Sequence, residues 1–256
     1  MRFLRYIYNN LSYWGISSKD LPDDVYALEK PPFEDISVRE NKKFLLKDLV
    51  LLPPSLPSKI VAVGLNYIDH ARELNMSVPD EPVLFLKPPS SVIGPYENII
   101  IPEQSKQVDY EAELAVVIGK VCKKVSVSSA MDYVLGFTCF NDITARDLQK
   151  KDGQWTRAKS FDTFSAIGPF IVTPDEFEYN NTRIKCIVNG KIKQDSTTAN
   201  LIFNVQELIS FISYIMTLFP GDIITTGTPP GVGPLKSGDT VEISIDGIGS
   251  LINRVL

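Results

Sequence analysis

Apolar and polar positions alternate with a period of two along much of this chain, the repeat of a β-strand, whose successive side chains point to opposite faces. By that pattern "RFLRYIY" at 2–8 and "VYALEK" at 25–30 are short strands. "KIVAVGLNY" at 59–67 is an apolar strand closing on glycine, and "PVLFLKPPSSVIGP" at 82–95 is a buried strand that ends at Lys87 in a proline-rich loop. "YVLGFTCFND" at 133–142 is an apolar strand finishing on Asp142. Near the end, "DIITTG", "TVEISI" and "SLINRV" alternate in the same way, with Asp246 and Gly247 as a turn between the last two.

Helical spacing replaces this pattern in three places. "YIDHARELNM" at 67–76 is expected to be a helix with Asn66 as its N-cap, stopping before Pro79. "ITARDLQKKDG" has the composition of a short helix. The clearest helix is "NVQELISFISYIMTLF" at 204–219: Asn204 and Glu207 have capping-box spacing, and "PG" stops it. Its stripe of Val205, Leu208, Ile209, Ile212, Ile215, Met216 and Phe219 reads as core packing. The proline-punctuated "LLPPSLPSK" at 51–59 is the best boundary, dividing a small amino-terminal subdomain, 1–57, from a main domain, 58–256. The expected class is mainly β with flanking helices.

Composition narrows the function. With 256 residues, 44% of them hydrophobic, the chain can bury a large core, and a formal charge of −5 offers no basic field for nucleic acid. No apolar run approaches the roughly 20 residues of a membrane span, and the first residues lack a signal-peptide pattern, so a cytoplasmic protein is expected. Cys122, Cys139 and Cys186 are odd in number and widely spaced, which suggests buried thiols in place of disulfides or a thiolate zinc site.

One stretch, "QVDYEAELAVVIGK" at 107–120, breaks the usual order of a strand by placing Asp109, Glu111 and Glu113 at every second position before an apolar run. On one strand they share a face, about 7 Å apart from neighbour to neighbour. Such a row is either a solvated face or a set of carboxylates that a cation must neutralise. Oxygen donors without histidine or thiolate suit Mg²⁺ or Mn²⁺ better than Zn²⁺. Asp142, at a strand end, is a candidate to join Glu111 and Glu113, which would leave about three octahedral positions for substrate and water. His70, the single histidine, and Glu73 stand at i and i+3 on the predicted helix. Spacing alone leaves open whether they form an ordinary surface pair or a general base oriented by a carboxylate.

Several motifs in order resemble the fumarylacetoacetate hydrolase family: "VGLNYIDHARE", "FLKPPSS", "DYEAELAVVIG", "FNDITARDLQ", "WTRAKSFDTFSAIGPF" and "TGTPPGVGP". The resemblance spans residues 57–256 and is strongest to the acylpyruvate hydrolase and oxaloacetate decarboxylase branch. It implies a mixed β-sandwich roll assembled as a homodimer, with Glu111, Glu113 and Asp142 as ligands of Mg²⁺ or Mn²⁺. It implies that His70 and Glu73 sit on a lid helix and activate water, and that Lys159 holds substrate and stabilises negative charge. Arg146 and Gln149 fall where the branch contacts the distal part of the substrate, Thr228 where the substrate carboxylate binds, and Lys87 along the same pocket.

The activity so implied is hydrolysis of a C–C bond in an acylpyruvate-type 2-oxo acid, giving pyruvate as its enolate and a carboxylic acid. The family also implies alternatives: oxaloacetate decarboxylation, or isomerisation and decarboxylation of unsaturated 2-oxo diacids such as 2-hydroxyhepta-2,4-diene-1,7-dioate. A reading from another class is a metal-stabilised structural homodimer without activity, although such a protein needs neither the His70–Glu73 pair nor Lys159.

Overall fold

The protein, seen here in a computed structural model that describes residues 1–73 and 75–256, is mostly β. A 12-stranded sheet forms its frame. From one edge the hydrogen-bonded path runs through Val38–Leu45, Asp24–Leu28, Leu11–Ser17 and Arg2–Tyr8, then crosses to Ser165–Val172, Val134–Asp142 and Ala112–Ile118. Beyond these lie Ile223–Thr225, Ile60–Gly64 and the edge strand Val83–Lys87. A five-stranded sheet, built on Lys191–Thr197, Arg183–Val188, Thr240–Ile245 and Gly249–Val255, packs against the middle of the frame. Leu114, Val116, Phe137 and Cys139 from the first sheet meet Ile184, Cys186, Ile243 and Leu251 from the second, so the core is that of a sandwich.

The amino-terminal strands form a meander that extends the frame. Arg2 pairs with Val172 and Phe3 with Ile171, and Phe3 packs with Leu28, Val117 and Ile171 in one buried cluster. The proline-rich connection is tied to the turn after the long helix by Asp222. That fully buried carboxylate accepts the amides of Ser58 at 2.9 Å, Lys59 at 3.1 Å and Phe219 at 2.8 Å, and pairs with the Lys59 ammonium.

Four expectations change. The acidic row does not lie on one strand: Val108–Tyr110 belongs to a three-stranded sheet with Thr144–Ala145 and Gly233–Pro234, and the chain joins the frame only at Ala112. The break falls at Glu111, whose amide donates to the Asn141 side chain at 3.0 Å. Asn66 does not cap a helix. It is fully buried, and its carboxamide donates to the carbonyls of Phe203 and Thr226 and accepts the Phe203 amide. The first helix is Ile68–Glu73; Leu74, in the predicted segment, lies outside the described residues.

The long helix has both hydrogen bonds of the capping box but ends at Ile215, four residues before its predicted stop at Phe219. Cys122 and Leu218 exchange backbone hydrogen bonds at 2.9 Å, so the chain has turned extended by then. The buried stripe accordingly ends at Ile212; Ile215 and Phe219 are 57% and 47% exposed. Among the described residues, no helix is long and apolar enough to cross a membrane.

Two outcomes follow from this packing. Phe3→Ala should lower stability by about 3 kcal/mol, because it empties a core site shared by the meander and the frame; chemical denaturation measures it, and the whole chain should still unfold in one transition. Cys122, Cys139 and Cys186 are free and buried, and burial pushes all three thiols up. A chromogenic disulfide reagent at neutral pH should therefore titrate none of them quickly in the folded protein and all of them after denaturation.

Candidate functional site

Neighbouring strands of the frame bring three carboxylates together. Glu113 lies in Ala112–Ile118, Asp142 ends the adjacent Val134–Asp142, and Glu111 stands at the break just before the first of these. Ala112 pairs with Asn141, and the Asp142 amide donates to the Glu111 carbonyl at 2.9 Å, so the register sets all three side chains at one point. A ligand oxygen from each lies within 4.8 Å of the others, and all three residues are buried.

Cations from separate elements pack among them. Lys159 closes the short helix Thr156–Lys159 and donates to Glu111 Oε2 at 2.8 Å and Asp142 Oδ2 at 2.6 Å. Lys87, at the end of the edge strand, holds the other oxygen of Asp142 from behind. Arg146 opens the helix Arg146–Asp152, which Gly153 ends in the left-handed conformation. Its guanidinium donates to Asp109 Oδ2 at 2.8 Å, to Glu111 Oε1, and to Gln149 Oε1 at 2.6 Å.

Charge does not balance in this cluster. Asp109, Glu111, Glu113 and Asp142 are buried against Lys87, Arg146 and Lys159, which leaves one negative charge without a cation. Burial alone would raise the Glu111 carboxyl, but Lys159 and Arg146 outweigh it and hold the group down at about 2. Glu113 has no ion-pair partner among the described residues and accepts the Gly227 amide at 2.9 Å. Burial first, and then the charges of Asp142 and Glu111, push its carboxyl well above the usual range. Burial opposes the charge on Lys159, yet Asp142 and Glu111 overcome it and keep the ammonium protonated. An all-oxygen, buried, net-negative cluster fits a hard divalent cation, whose charge would convert the excess of one negative into one positive.

The helix Ile68–Glu73 brings His70 to the cavity that the cluster lines. His70 Nδ1 lies 2.8 Å from Glu73 Oε2, and Glu73 Oε1 accepts the Gly231 amide at 3.1 Å. An ionised carboxylate only accepts, so Nδ1 is the donor toward Glu73, and in a neutral ring the basic nitrogen is then Nε2. Except for Glu73 and Lys87, every site residue expected from the sequence lines one cavity of about 300 Å³. Its apolar walls include Val63, Leu65, Met76, Phe85 and Trp155. Gly64 is required there, since a Cβ at that position would stand 2.5 Å from the Trp155 ring.

The sequence did not single out what holds these parts in place. Asp69, beside His70, accepts from Ser196 Oγ at 2.7 Å and Asn200 Nδ2 at 3.1 Å, fastening the helix to the second sheet. Gln194, in Lys191–Thr197, reaches both Ala112 and Thr228. Only the alternation of Gln194 and Ser196 on a strand hinted at a shared inward face, and nothing in it pointed to this cavity.

Comparison with known proteins agrees with the geometry. Residues 59–256 match the family described as "Fumarylacetoacetate (FAA) hydrolase C-terminal". The chain is 47% identical over 215 residues to the mitochondrial oxaloacetate tautomerase Fahd2a of Rattus norvegicus, covering 80% of this chain and 69% of that protein. Among solved structures, 5-carboxymethyl-2-hydroxymuconate delta-isomerase from Mycobacterium smegmatis superposes with a TM-score of 0.93 at 41% identity, over 100% of this chain and 99% of that one. Maleylpyruvate hydrolase from Sphingobium sp. SYK-6, solved with manganese(II) and pyruvate, superposes with a TM-score of 0.83 at 28% identity over the same shares. By the match over residues 59–256 and by its fold, the chain belongs to the fumarylacetoacetate hydrolase family.

Proposed function

We propose that the protein is an isomerase that interconverts the keto and enol forms of a small 2-oxo acid at a site holding Mg²⁺ or Mn²⁺. The observation that carries this reading is the His70–Glu73 pair, which offers one oriented base to the cavity that contains the carboxylate cluster. Glu111, Glu113 and Asp142 would hold the cation, which supplies a Lewis acid for the 2-oxo group and so acidifies the adjacent C–H.

This chain's residues do the rest. Thr228 and Gln149, which both line the cavity, would hold the two ends of a short substrate. His70 Nε2 takes the proton from the carbon next to the 2-oxo group, the C–H pair becomes the C=C bond of the enolate, and the resulting imidazolium is stabilised by Glu73. Lys159, charged and buried, opposes the negative charge that develops on the oxygen. Return of the proton to that oxygen, or to another carbon of a conjugated substrate, completes the isomerisation. The apolar Phe85, Trp155 and Met76 keep bulk water from the acidified carbon.

A second reading uses the same base on water. His70 would then deprotonate a water that attacks the distal carbonyl of an acylpyruvate, the C–C bond would break, and pyruvate would leave as its enolate. The likeness to a maleylpyruvate hydrolase supports this version, and the higher identities to a tautomerase and an isomerase support the first. Decarboxylation of oxaloacetate is a third outcome of the same electron sink. A purely structural metal site would need neither the oriented histidine nor the buried ammonium of Lys159.

Enol loss from oxaloacetate and pyruvate release from acetylpyruvate, each followed with Mn²⁺, Mg²⁺ or EDTA, test these readings together. Metal-dependent enol loss should dominate, falling by roughly 10²–10⁴-fold in His70→Ala and disappearing in Glu111→Ala. Faster pyruvate release would move the assignment to the hydrolase, and inertness toward every 2-oxo acid would leave the structural reading. A second outcome concerns the unpaired charge. Mn²⁺ should raise the melting temperature of the wild type, whereas Glu113→Gln should melt no lower than the wild type without metal and gain nothing from adding it.

A further inference from the structure

We propose that Gln194 is a positioning residue, whose carboxamide sets the direction in which the Thr228 hydroxyl offers its proton to the carboxylate of the substrate; this rests on the 2-oxo acid reading above. Gln194 is 1% exposed and lies on the five-stranded sheet, outside the walls of the cavity. Its Oε1 accepts the Ala112 amide at 2.9 Å, and its Nε2 donates to Thr228 Oγ1 at 2.8 Å and to the Pro229 carbonyl at 2.7 Å.

The chemistry of the neighbours leaves one orientation. An amide N–H only donates and a carbonyl only accepts, so the oxygen and nitrogen of the carboxamide cannot be exchanged without losing both contacts. Thr228 Oγ1 is therefore an acceptor toward Gln194, and its own proton must point elsewhere. Without substrate that proton goes to the Ala112 carbonyl, 2.9 Å away. Because Thr228 lines the cavity, an arriving carboxylate competes with a neutral carbonyl for the same proton, and the ionised acceptor makes the stronger hydrogen bond.

The same strand seats two more parts of the site. Gly231 has φ +95°, and a Cβ there would stand 2.3 Å from the Lys193 carbonyl, so the loop bearing Thr228 rests directly on the residue before Gln194. Two residues on, Ser196 holds Asp69 of the histidine helix at 2.7 Å. Ala112 itself lies between Glu111 and Glu113, so one carboxamide joins the metal-ligand strand to the carboxylate-binding loop.

The test is a double-mutant cycle in the Mn²⁺-loaded protein, using Gln194→Glu, Thr228→Val and the double variant. Oxalate binding by calorimetry and the KM and kcat for oxaloacetate are both read. Glutamate keeps an acceptor for the Ala112 amide but presents a second oxygen to Thr228, which must then turn its proton away from the substrate. Gln194→Glu should weaken oxalate and raise KM by roughly tenfold or more, with a smaller change in kcat. The added charge acts in both backgrounds, so the coupling is the readout: without the Thr228 hydroxyl, the same substitution should lose most of its effect.

Gln194→Met, which adds no charge, should show coupling of the same sign and serves if the glutamate variant does not fold, as judged by its melting transition. Equal effects with and without the hydroxyl, or unchanged oxalate binding in both Gln194 variants, would overturn the proposal while leaving the 2-oxo acid reading intact. A wild type that neither binds oxalate nor turns over any 2-oxo acid would sink that reading, and this proposal with it.

Discussion

Everything in the site answers to one electrostatic constraint: four carboxylates are buried together with only three cations to meet them. A buried, unpaired charge is costly enough that proteins neutralise it by protonation, by pairing or by a bound ion. Here the deficit falls on Glu113, the member of the cluster with which no lysine or arginine among the described residues forms an ion pair. A divalent cation would remove the deficit and leave the site positive, as the proposed function requires for an anionic substrate. The arrangement itself is held in place by the stability of the rest of the fold.

That stability comes from both layers of the sandwich. The frame supplies the carboxylates in fixed register, since Glu113 and Asp142 sit on adjacent antiparallel strands. The second sheet supplies the fastenings, through Gln194 to the loop that bears Thr228 and through Ser196 to the histidine helix. A helix of only Ile68–Glu73 is far too short to be stable alone, so its position depends on those contacts and on the Glu73 bond to Gly231. His70 is therefore placed by tertiary structure, although its partner Glu73 is local.

Isomerase and hydrolase share this machinery because both need an electron sink next to a 2-oxo group and one oriented base. They differ in where that base finds its proton, on carbon or on water. The apolar walls made by Phe85, Trp155 and Met76 would bear on that choice, through how much water a bound substrate meets. The family's spread of activities across one fold follows from this economy of parts.

Local physics was legible in the chain itself. Period-two alternation located strands such as Arg2–Tyr8 and Thr240–Ile245, and the Asn204–Glu207 spacing marked a capping box whose two hydrogen bonds both form. The acidic row marked carboxylates that had either to face water or to be neutralised, because like charges so close in sequence cannot be far apart in space. Long-range geometry was not legible. Asn66 looked like a helix cap, yet it bonds to Phe203 and Thr226, and Glu111 looked like mid-strand, yet it is the point where the chain passes from one sheet to another. Gln194 carried no signal of its partners, since Ala112 and Thr228 lie 82 and 34 residues away. Sequence determined which groups had to be neutralised, because charge and spacing are local; only the tertiary structure decided what neutralises and orients them, because those contacts form between segments that meet only when the sheets close.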